Sequence, residues 1–167
     1  LEFRRVLFRS LKDAPPAGVA GWLDFQTHHG HRVDAAHRIM EQVAQDLMPE
    51  PGPLAKVTTR AREMHREFTD KVTRLFQDAI VKEGWPLSGR PRANDIYDRF
   101  VRIPWQEGKR VAYFWVDALR YDLAKQLAAS ASGRHAATVH AVCAQLPTIT
   151  KVGMAALLPG ASEDFQI

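Results

Sequence analysis

Hydrophobic positions recur at helical spacing through the first two thirds of this chain, then give way to short continuous apolar runs. In residues 33–48, Ala36, Ile39, Val43 and Leu47 repeat every three or four positions, and Pro49, Pro51 and Pro53 close the run, which predicts a helix. Residues 56–83 carry the longest such pattern. Val57, Ala61, Met64, Phe68, Val72, Leu75, Phe76 and Ala79 form one stripe, and Arg60, Arg62, Arg66, Asp70 and Lys71 occupy the other faces. The stripe reads as packing surface, the arginines as a solvated face, and Gly84 as the stop. Residues 88–95, SGRPRAND, are turn-forming; Asn94 is placed to cap a short helix over 95–101 that Pro104 ends.

After Arg110 the pattern alternates. Residues 111–116 are continuously apolar, aromatic and β-branched, which predicts a strand covered on both faces. Leu119, Leu123 and Leu127 are spaced by four and predict a helix over 119–130, followed by a turn to Arg134. Residues 136–144 predict a second strand and 152–158 a short helix closed by Pro159 and Gly160. Such alternation predicts an α/β fold with a mainly parallel sheet, preceded by a helical region. Residues 1–21 are expected to be a non-native or disordered leader and linker, 22–109 a helical region, and 110–167 the N-terminal part of an α/β domain. Within the leader, residues 12–21 are rich in Pro, Ala and Gly and read as a loop.

Composition narrows the picture modestly. At 167 residues and 46% hydrophobic content, the chain can bury the core of one ordinary domain. Its net charge is only +4, and half of that comes from the first ten residues, where Arg4, Arg5 and Arg9 outweigh Glu2. That is too little for a nucleic-acid footprint spread over the whole chain. The first ten residues, LEFRRVLFRS, resemble a translated cloning scar, and no Met opens the chain. It therefore reads as an internal fragment. The single Cys143 cannot form an internal disulfide and reads as a small buried hydrophobe, in keeping with a reducing, cytoplasmic setting. No apolar stretch approaches the roughly 18 residues of a spanning helix, so no membrane partner is expected.

Three places carry candidate chemistry. His28, His29, His31 and His37 match no standard metal-ligand spacing and read as the solvated start of a helix. Asp117 ends the first predicted strand, where ligands bind in open parallel sheets. A carboxylate there is costly to bury without a cation, a metal or several N–H donors. The residues alone leave two roles open for it, helix N-cap or ligand. Asp122 reads as an exposed first-turn acid. Thr148 and Thr150 precede the last helix, and either one fits a cap. A hydroxyl at that place also suits attack on an ester if a metal activates it, with the helix N-terminus offering N–H groups to a phosphoryl oxygen.

The combination of VDALRYDLAKQL (residues 116–127) with LPTITKVGMAALLPGA (residues 146–161) resembles the start of the PglZ domain. That domain is a branch of the alkaline phosphatase superfamily known from BREX phage-defence systems. The resemblance implies a sheet sandwiched by helices, with Asp117 as a metal ligand and Thr150 as the nucleophile. Thr148 is the lesser candidate, and Arg120 would contact the phosphate. It also implies two divalent metals, zinc being the expected one, and hydrolysis of a phosphate mono- or diester, nucleic acid included, through a phosphothreonine. Other BREX proteins would be the partners. The remaining Asp and His ligands would lie on later strands, and His135 and His140 do not take their places. The chain alone is therefore expected to be inactive.

The main rival is a non-catalytic scaffold within the same defence complex. A haloacid-dehalogenase-like phosphatase is disfavoured because Leu119 stands where that chemistry needs a second carboxylate. A helical nucleic-acid-binding module is disfavoured by the modest charge.

Overall fold

A computed structural model describes residues 16–47, 52–133 and 135–161. The expected leader at residues 1–15, the prolines Pro49 and Pro51, Arg134 in the expected turn, and everything after Ala161 lie outside the described residues. The described chain is mostly helical: α1 (Gly18–Phe25), α2 (His31–Asp46), α3 (Gly52–Glu83), α4 (Ile103–Gln106), α5 (Tyr121–Ala131) and α6 (Thr150–Ala156). Wider π-type turns at Gln26–Gly30 and Tyr97–Arg102 join α1 to α2 and lead into α4. None of these helices is long and apolar enough to cross a membrane.

The chain forms two compact units. The first runs to Trp85 and takes in Tyr121–Ser130; the second comprises Pro86–Arg120 and the residues from Ala131 onward. In the first unit, α1 buries Val19, Trp22 and Phe25 along one face, and Phe25 meets Phe68 of α3 at 6.4 Å between ring centroids. Within the segment 12–21, expected to be a loop, residues 18–21 are helical, since Gly18 opens α1. Gly18 has φ +66°, a backbone conformation that favours glycine, and a Cβ there would crowd the Glu83 carboxylate. That carboxylate accepts the Val19 N–H at 2.8 Å, satisfying an orphan donor at the helix start.

The α3 helix follows its predicted stripe, with one adjustment. Val57 is 66% exposed, whereas the neighbouring Thr58 is 3% exposed. The Thr58 hydroxyl donates to the Leu54 and Ala55 carbonyls, so its burial leaves no polar group unsatisfied. Pro53 sits in the first turn of α3, where its missing N–H costs nothing. Gly84, at φ +87°, closes the helix by donating its N–H to the Ile80 carbonyl at 2.8 Å.

The second unit corrects the α/β expectation. No strand occurs among the described residues, and no parallel sheet is formed. Residues 111–116 make no ladder, and Phe114 at their centre is 82% exposed. Residues 136–144 make a single parallel bridge, through Cys143, and it goes to Arg92 rather than to 111–116. Ala93 N donates to the Cys143 carbonyl at 2.9 Å and Cys143 N to the Pro91 carbonyl at 2.7 Å. The physical reason is that β-branched and aromatic residues favour a pleated surface only where a neighbouring strand completes it. Cys143 is buried and free, as its sequence context predicts.

The first turn after Arg92 also differs from expectation. Asp95, not Asn94, closes it, its carboxylate accepting the Arg92 N–H at 2.8 Å. The Asn94 Oδ1 is buried without a partner among the described residues. Pro104 lies within the first turn of α4 rather than ending the helix.

Candidate functional site

Two segments of the second unit meet at the candidate site. The apolar run 111–116 ends in a turn at Asp117 and Ala118. Ala118 has φ 54°, a conformation seldom adopted by a residue with a Cβ. Asp117 Oδ1 supports that turn by accepting the Ala118 N–H at 2.9 Å. Thr150 is the first residue of α6. Its N-cap position is Ile149, and no side chain caps the helix. The hydroxyl is thus free of the capping role that Thr148 and Thr150 both fitted. Thr150 Oγ1 instead donates to Asp117 Oδ1 at 3.5 Å, across 33 positions of sequence.

Both side chains are exposed. Their separation exceeds the roughly 2.5–3.0 Å of a strong O–H···O bond, so the contact is a long one. Thr148 is exposed in the loop before α6. Arg120 lies exposed three residues beyond Asp117, just ahead of α5, and is engaged in interactions there.

One contributor was missed from the sequence. The Tyr113 hydroxyl donates to the Leu157 carbonyl at 3.2 Å, at the end of α6 opposite Thr150. Burial raises the Tyr113 pKa, which keeps the phenol protonated and able to donate. A single segment, 113–117, therefore holds α6 at both ends. Tyr113, Trp115 and Asp117 stand at alternating positions, and that period of two was the available signal.

Asp122 is also corrected. It is buried at 4% exposure in the first unit, where its Oδ2 accepts Arg38 Nε at 3.1 Å. The histidines of the patch make separate contacts. His28 Nδ1 lies 2.7 Å from the Asp24 carbonyl oxygen, and the His37 ring stacks on His65 at 3.8 Å. Among the described residues no group of three or more His, Cys, Asp or Glu is placed to hold a metal ion. Asp117 and Thr150 supply one carboxylate and one hydroxyl. That falls short of the roughly three protein ligands a catalytic zinc keeps.

Residues 96–166 match the family model of the BREX system PglZ alkaline phosphatase-like domain. These residues are part of a PglZ-family domain. The chain is 28% identical over 141 residues to the alkaline phosphatase-like protein PglZ of Bacillus cereus (strain H3081.97), covering 81% of this chain and 16% of that protein. It is 35% identical over 81 residues to the alkaline phosphatase-like protein BrxZ of Escherichia coli O9:H4 (strain HS), covering 46% of this chain and 9% of that protein. The chain thus spans less than a fifth of the length of either relative. No solved structure matches it. The PglZ match opens at Ile96, ahead of the motifs that suggested it. The longer alignment, at 141 residues, necessarily takes in much of the helical half as well.

Proposed function

We propose that the PglZ segment supplies the nucleophile and one acidic group of a phosphoester-hydrolysing domain in a BREX antiviral defence protein. The observation that carries this reading is the approach of Thr150 Oγ1 to Asp117 Oδ1 within a matched PglZ domain. In the first step, Thr150 Oγ1 bonds to phosphorus and its proton passes to the Asp117 carboxylate. The phosphorus–oxygen bond to the leaving group breaks, and the electron pair departs with that oxygen. In the second step, a water oxygen attacks phosphorus, and Thr150 leaves and regains a proton. The hydroxyl is a weak nucleophile at its ordinary pKa, so an acceptor within reach is the minimum requirement. Alkaline phosphatase-like families generally use divalent metals, which polarise phosphoryl oxygens and activate nucleophiles. Asp117 would be one ligand of such an ion.

The test is hydrolysis of p-nitrophenyl phosphate and bis(p-nitrophenyl) phosphate by the longest native reading frame that contains this chain. Thr150→Ala should lower turnover by at least about 10³-fold, as loss of a nucleophile does, with little change in Tm. Thr150→Ser should keep part of the activity. Equal turnover by wild type and Thr150→Ala removes the nucleophile assignment. An inert wild type, metal-loaded and folded, favours the scaffold role.

A further inference from the structure

We infer that the groove between α2 and α5 in the first unit is a docking site for an acidic amphipathic helix of a partner protein. The groove encloses about 540 Å³, and its floor is apolar, formed by Ala35, Ala36 and Ile39. Ile39 is 55% exposed, Val43 follows one turn later on α2 at 49%, and Leu47, just past the helix end, is 52% exposed. They extend the apolar surface on which the apolar face of an amphipathic helix can lie. The buried residues of α2 are Val33, at the groove's edge, and Ala44.

Charge selects the occupant. Arg32, Arg38 and Lys125 line the groove, and Asp122 is the one acid among the lining residues. Arg38 offsets that acid, bonding Asp122 through Nε at 3.1 Å and Gln126 Oε1 through Nη2 at 2.9 Å. Arg32 and Lys125 are left exposed, with no acidic partner among the described residues. Two uncompensated cations beside an apolar floor complement a helix with an apolar stripe flanked by Asp or Glu. Nucleic acid fits less well, since tracking a phosphate backbone takes a longer row of cations than two. A second copy of this chain fits less well too, because its net charge is +4. The acidic flank should lie towards the Arg32 end, since Asp46 occupies the far end of the same α2 face.

The experiment is fluorescence anisotropy with the 167-residue chain. The probes are a labelled Leu/Glu amphipathic helix, the same peptide with Lys for every Glu, and a short DNA duplex. The Leu/Glu helix should bind, weaken with added salt, and exceed the Lys form by about tenfold or more, ~1.4 kcal/mol. Arg32→Glu combined with Lys125→Glu should remove that preference, and Ile39→Ser should weaken both peptides. All three side chains are exposed, and unchanged circular dichroism verifies the fold; Arg38 is left intact because it holds Asp122. No binding by the Leu/Glu helix, equal binding of the two peptides, indifference to the double variant, or tighter binding of the duplex would each overturn the inference.

Discussion

The two units of this chain are stabilised in different ways. The first joins distant helices by specific side-chain pairs: Glu83 on the start of α1, Arg38 on Asp122, Arg62 on Glu41, and Phe25 on Phe68. The second buries a few small residues, Ala93, Cys143, Val152 and Ala156, and leaves its most apolar run, 111–116, exposed except at Tyr113. Yet the second unit holds the candidate chemistry. Helix packing and candidate chemistry are thus separated, as expected where loops carry function and packed helices carry stability. Substitutions should divide along the same line.

The largest effect should be on activity with almost none on stability. Thr150→Ala lowers turnover by at least about 10³-fold, and its exposed side chain makes one long contact. The next largest should fall wholly on stability. Arg38→Ala removes the guanidinium from Asp122, whose side chain is 1% exposed, while that of Arg38 is 28% exposed. Losing one member of a buried pair costs roughly 3–5 kcal/mol, reduced here to about 2 because Arg38 reaches solvent and Asp122 keeps other interactions. Urea unfolding of the chain measures it. A change below ~1 kcal/mol would mean that those other interactions suffice for Asp122.

These contrasts track what could be read in advance. The α3 stripe was legible because a 3.6-residue period repeated over many turns leaves little freedom; it slipped only at its edge, at Val57 and Thr58. Residues 111–116 were misread because composition reports a liking for pleated surface, not the presence of a strand to pair with. Asp122 looked exposed because its partner, Arg38, lies 84 positions away, and no local pattern records such a distance. The Asp117–Thr150 approach was legible through the family motif. Local rules left Asp117 open between helix cap and ligand and Thr150 between cap and nucleophile; the cap position of α6 is Ile149, without a side-chain bond. Tyr113 was hidden because its acceptor is a backbone carbonyl, which has no sequence signature.

Tyr113→Phe sharpens the comparison further, because it acts on both quantities at once. It removes one hydrogen bond from a half-buried phenol, worth about 0.5–1.5 kcal/mol. Because that bond holds α6 behind Thr150, kcat for the proposed hydrolysis by the longest native reading frame should fall several-fold while KM stays within about twofold. A stability loss with unchanged kcat would make Tyr113 a packing residue only.

The smallest effect should appear in the first unit, and only with pH. Glu41 sits with Arg62, whose Nε and Nη2 donate to its two carboxylate oxygens at 2.7 and 2.8 Å. This hydrogen bonding is the chief reason its carboxyl pKa is lowered, opposed by desolvation and helped by the charges of Arg62, His37 and His65. A carboxyl whose folded pKa lies below its unfolded value stabilises the fold above the unfolded value, and that contribution is lost as pH falls through the folded one. Glu41→Gln should therefore cost stability at neutral pH and flatten the loss seen on acidification below about pH 5. The Glu41 side chain is 36% exposed, so solvent screening limits the difference to about 0.5 kcal/mol. His37 stacks on His65 at 3.8 Å and Asp34 stands 3.5 Å from His65, and these groups are common to both proteins. Urea melts of wild type and Glu41→Gln at pH 7, 5 and 4 separate the carboxylate from the histidines. Parallel stability curves for the two proteins would show that the Arg62 pair contributes nothing to the pH dependence.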